Sequence, residues 1–140
     1  MEIQVGFFKR AKSAPAGSEA HLQVPDDLAQ RARIQYGNAD FYSAAGLYAE
    51  AIDKLHTMYV IGQCRYRQPG PADSSIAEGL VSATGAALAM DPQAPIQALV
   101  QQSIGYLEQI VQIPQAQAEA GTYSSAMAEL SRILASPPSR

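Results

Sequence analysis

Apolar residues recur three or four positions apart in five stretches of this chain, which is the spacing of helices that bury one face. The clearest stretch carries Tyr48, Ala51, Ile52, Leu55, Met58, Tyr59 and Gly62 and predicts a helix over about residues 47–65. Before it, Leu28, Ala32, Tyr36 and Ala39 form one stripe and Ile34, Phe41 and Ala45 a second, which together predict a helix over about 26–44. Pro25 opens that helix, and Asp26 and Asp27 suit the positive end of its dipole. Gly46 interrupts the pattern and is the expected point of reversal between the two helices.

A third helix is expected to start at Asp73, Ser74 or Ser75, with Ile76, Leu80, Thr84, Ala87 and Leu88 on one face and Asp91-Pro92 as its stop. A fourth starts near Ala94 or Pro95, carries Ile96, Leu99, Val100, Ile104, Leu107, Ile110 and Val111, and halts or kinks at Pro114. The fifth covers about 122–135, with Tyr123, Met127, Leu130, Ile133 and Leu134 inward. The loop around Pro69-Gly70-Pro71 forces a turn between the second and third. Period-two alternation is absent except near Ile3, where Ile3, Val5, Phe7 and Phe8 could make a short strand or one helical turn. The expected organisation is an N-terminal tail and linker over 1–24, one helical domain over 25–136, and a tail over 137–140. The fold class is all-α.

A chain of 140 residues suffices for one domain with a core that needs no staples. Its charged fraction of 16% is below the usual value of about 25%. The net charge of −3 gives no basic face for nucleic acid. The one basic run, Lys9, Arg10 and Lys12 beside Phe7 and Phe8, reads first as a solvated tail, and otherwise as a contact for an acidic partner or a membrane surface. Cys64 is the single cysteine, so no disulfide can form within the chain. The N-terminus has no signal-peptide core, and no apolar run has the length of a membrane span, so the expected location is the cytoplasm.

Residues 45–55 and 120–130 repeat one pattern: Ala-Gly, any residue, Tyr, two residues, Ala, a large aliphatic, two residues and Leu. Gly46 with Tyr48 and Ala51, and Gly121 with Tyr123 and Ala126, occupy its key positions. This pattern resembles the turn and second helix of a tetratricopeptide repeat, and Gly37-Asn38-Ala39 resembles the small-residue site of the repeat's first helix. The match is best over about residues 28–60 and partial elsewhere. A three-helix domain of the microtubule-interacting-and-trafficking type shares the Gly-x-Tyr-x-x-Ala turn but covers only about half of this length. The tetratricopeptide resemblance implies about five helices in antiparallel hairpins, stacked right-handed, with a groove lined by first helices. It implies a non-catalytic module that binds a peptide or helix of a partner protein. Mapped onto the repeat, Arg31, Asn38, Phe41 and Tyr42 face that groove. An Asn there can both donate to and accept from an extended peptide, and an Arg can meet a carboxylate in a forked pair.

Searching for chemistry adds little. His21 and His56 have no ligand spacing around them, so no metal or cofactor is expected. Cys64 stands beside Arg65 and Arg67, which could lower a thiol pKa, but no histidine accompanies it in sequence. Glu50, Asp53 and His56 are grouped on one helix, where Glu50 and Lys54 more simply make a surface pair. Two other readings stay open: a helical subunit that associates with copies of itself, and an enzyme or ligand binder whose site has no recognisable motif.

Overall fold

A computed structural model describes residues 24–135. The expectations for the N-terminal strand or helical turn, the linker and the C-terminal tail therefore lie outside the described residues, as do the Lys9–Arg10 run and His21. Among the described residues the fold is all-α. Helix α1 is Val24–Gly37, α2 is Phe41–His56, α3 is Pro71–Met90, α4 is Gln97–Ile110 and α5 is Ala120–Ala135. A π-helical turn, Thr57–Ile61, extends α2, and a 3₁₀ segment, Pro114–Glu119, leads into α5.

The first reversal lies earlier than the hydrophobic pattern indicated. Helix α1 ends at Gly37, and residues 38–40 turn the chain, with Ala39 left-handed at φ 64°. The Asp40 amide donates to the Gln35 carbonyl at 2.9 Å, and the Asp40 carboxylate accepts from the Ser43 amide at 3.2 Å. Asp40 thus closes one helix and caps the next. Ile34 and Phe41, which looked like neighbours on one stripe, belong to two different helices. Gly46 consequently sits within α2, and a Cβ placed there would meet nothing within 4 Å. Gly121 likewise lies in the first turn of α5 with open space around it.

Small residues let α1 and α2 approach closely: Ala29, Ala32, Ala44, Ala45 and Ala51 are all buried. Tyr48 of α2 reaches α3. Its ring lies against Gly79 of α3, where an added Cβ would be 2.4 Å from the ring. At the far end of α2, Gly62 bonds back to the Thr57 carbonyl at 2.8 Å, and a Cβ there would press on the Met58 carbonyl at 2.7 Å. Gln63 and Cys64 then follow in left-handed conformation, at φ 55° and 59°.

Helix α2 packs on α1, α3 and α4, while α5 packs on α3 and α4. The consecutive pair α3 and α4 does not pair along its length. The order α2–α3–α5–α4 therefore closes into a ring around one core of Ile52, Leu55, Ile76, Leu80, Val100, Leu107, Tyr123 and Leu130, with α1 docked outside on α2. The tetratricopeptide resemblance stands on the local sequence of residues 45–55 and 120–130.

Candidate functional site

The helices run so that the 38–40 turn, the end of α3 and the start of α4 meet at one end of the bundle. There a cavity of about 390 Å³ is lined by Ala39, Asp40, Phe41, Tyr42, Ala87, Met90, Asp91, Ala94 and Pro95. Most of its wall is apolar. Tyr42 is 50% exposed and Met90 69% exposed at its rim, and Ile34 and Tyr36 are also exposed on the last turn of α1 nearby. Tyr36 packs edge-on against Phe41 with ring centroids 4.9 Å apart, which braces the turn. Large apolar side chains left in water cost free energy, and a cluster of them at one end of a small domain marks a surface that gains by being covered.

Of the four residues that the sequence put on one groove, Phe41 and Tyr42 line this cavity. Arg31 does not. It faces a separate shallow groove with Gln35, Asp40, Ser43, Leu47 and Glu50. Asn38 is exposed in the turn itself, so Asn38 and Tyr42 are not four apart on one helix. The reversal at 38–40 separates what a continuous helix would have aligned. Met90, Asp91, Ala94 and Pro95 were read only as a helix stop and restart, because nothing local links them to residues 41 and 42.

The opposite end holds a different chemistry. The Arg67 guanidinium donates to both carboxylate oxygens of Asp73, at 2.6 and 3.1 Å, and to both of Asp26, at 2.8 and 3.1 Å. The Tyr59 hydroxyl also donates to Asp73. Ser74 donates to Glu119 at 3.1 Å. Tyr123 is fully buried close by, and its hydroxyl has no hydrogen-bond partner among the described residues. Burial, with Asp26 and Glu119 adding negative charge, pushes the Asp73 carboxyl up to about 7. Arg67 and Tyr59 pull the other way by bonding the carboxylate. Burial prevails because the Asp73 side chain is only 4% exposed and must share the guanidinium with Asp26. The Tyr123 hydroxyl is also pushed up, first by burial and then by Asp73 and Glu119.

This cluster accounts for Arg67 differently from the sequence. It pairs with Asp73 and Asp26, while Cys64 is buried with its Sγ 3.7 Å from the Tyr59 carbonyl. Burial pushes the Cys64 thiol up, so the thiolate is disfavoured. His56 meets α4, with Nε2 2.8 Å from Gln109 Oε1 and its ring against Tyr106. Among the described residues no group of three or more His, Cys, Asp or Glu is placed to hold a metal ion, and no helix is long and apolar enough to cross a membrane. Comparison with family models, with curated proteins and with solved structures found no match to this chain.

Proposed function

We propose that this chain is a protein–protein interaction module that takes up a short segment of a partner protein at the turn end of its bundle. The observation that carries this reading is the apolar cavity between Phe41–Tyr42 and Ala87–Pro95, with Tyr42 and Met90 left exposed at its rim. Interfaces concentrate their energy in a few aromatic, Met and Arg side chains around a desolvated centre, and the cavity supplies an aromatic and a thioether side by side. The thioether is flexible enough to fit more than one anchor. Phe41 and Tyr42 belong to this surface, whereas Arg31 and Asn38 stand beside it. The role is binding rather than catalysis.

The test is partner capture from the native host by the full chain and by the double variant Tyr42→Ser with Met90→Ser. Both side chains are exposed, so the variant should melt within about 0.5 kcal/mol of the parent. Its capture should drop by tenfold or more, while Arg31→Ala captures normally. Undiminished capture by the folded double variant moves the binding surface elsewhere. The same exposed end also favours a second reading, in which Ile34, Tyr36, Tyr42 and Met90 cover one another between two copies. Sedimentation equilibrium separates the two readings, since only self-association makes the apparent mass rise with concentration.

A further inference from the structure

The sign of the charge at the turn-end cavity indicates what occupies it. Four helix termini meet there: α1 and α3 end, and α2 and α4 begin. Their dipole ends oppose one another in pairs, so the side chains decide the local sign. Asp40 and Asp91 line the cavity, and no Lys, Arg or His does; Arg31 lies on the adjoining groove, which shares Asp40 and also holds Glu50. Neither α1 nor α3 carries a basic residue in its last turn. Each carboxylate is held in place by a backbone amide: Asp40 by Ser43 at 3.2 Å and Asp91 by Gln93 at 3.0 Å. The negative charges are therefore fixed in position beside an apolar wall.

We infer that the occupant is a partner protein's linear segment with a bulky apolar side chain next to one or more Lys or Arg residues. This inference rests on the proposed interaction role of the same surface. The apolar side chain enters between Phe41, Tyr42, Ala87 and Met90, and the adjacent cation meets Asp40 and Asp91. Complementary charge of this kind fixes the register of the segment and suppresses acidic competitors, for which two like charges at the rim are repulsive. An acidic or purely apolar segment satisfies only half of the surface. A segment of the fitting chemistry exists in this chain itself, Phe7-Phe8-Lys9-Arg10, and it supplies the probe.

The experiment adds the synthetic octapeptide Val-Gly-Phe-Phe-Lys-Arg-Ala-Lys to the full chain and follows the Met90 methyl signal by NMR. The protein carries Phe7→Ala and Phe8→Ala, so that its own copy does not compete. A second peptide has Glu in place of every Lys and Arg. The first peptide should shift Met90 and leave Met58 and Met127 unmoved, and its affinity should fall severalfold as salt is raised. The Glu peptide should bind at least tenfold more weakly. In the protein, Asp40→Asn with Asp91→Asn should bring the two peptides to similar affinity, since Asn keeps both backbone contacts and removes both charges. Equal binding of the two peptides to the unaltered carboxylates overturns the inference and leaves the apolar interaction surface standing. No Met90 shift with either peptide at millimolar concentration overturns both.

Discussion

Ala39 and Gly46 have exchanged the roles that their side chains would suggest. Ala39 is left-handed at φ 64°, a conformation that costs an L-residue roughly 1–2 kcal/mol, and it is exposed in the turn. Gly46 is in the interior of α2, where glycine is worse than alanine by roughly 0.5–1 kcal/mol, and its Cβ direction is empty. Ala39→Gly and Gly46→Ala should therefore each raise stability, by about 0.5–1 kcal/mol, in a urea or thermal melt. If the reversal instead lay at Gly46, as the repeat pattern suggested, Gly46→Ala would lower stability. Gly79 gives the opposite expectation. A methyl there collides with the buried ring of Tyr48, so Gly79→Ala should cost about 1–3 kcal/mol even though alanine is the better helix former.

At the scale of elements, sequence and structure agree where periodicity and punctuation coincide. The third helix stops at Asp91-Pro92, and the chain turns at Pro69-Gly70-Pro71. The first two helices were misplaced because residues 38–40 contain no proline and put an alanine where glycine is usual. The apolar spacing also runs on by coincidence from Ile34 to Phe41. The signal that was there to find is Asp40, three residues before Ser43, a cap that outweighs weak periodicity. The turn-end cavity is half legible in the sequence: Phe41 and Tyr42 stand out, but their neighbours lie some forty-five residues away and meet them only through packing. The ion cluster was not legible, since Arg67, Asp73, Asp26 and Glu119 come from four separate segments. Close packing of α1 on α2 leads to a further expectation. Ala51 is 0% exposed, so Ala51→Leu should cost about 1–3 kcal/mol in the same melts, and a neutral result would mean that this face of α2 can give way.

The turn end of the molecule is an open apolar surface, and the other end sets an ion cluster beside exposed Ile61 and Tyr66 and a cavity of about 500 Å³ lined by Tyr59, Val60, Ile113 and Pro114. At the second end Arg67 ties the loop after α2 to α1 through Asp26 and to α3 through Asp73, and Ser74 joins α3 to Glu119. Folding there carries a protonation cost that depends on pH. The Asp73 carboxyl stands at about 7 in the folded protein and near 3.8 when the chain is exposed to water. Between those values the folded state holds a proton that the unfolded state has released, so stability must fall as pH rises from about 4 to about 7 and then level off. At about 1.4 kcal/mol per unit, the difference amounts to roughly 4 kcal/mol at most. Urea unfolding at pH 5 and pH 8 should show the parent chain more stable at pH 5. Asp73→Asn, which cannot ionise, should remove most of that difference. Arg67→Met should lower stability more at pH 8 than at pH 5, because only at the higher pH does it strand a buried carboxylate, a loss of about 3–5 kcal/mol. A parent chain equally stable at both values, with Arg67→Met equally damaging at each, would mean that Arg67 keeps Asp73 charged throughout and that the pair outweighs burial.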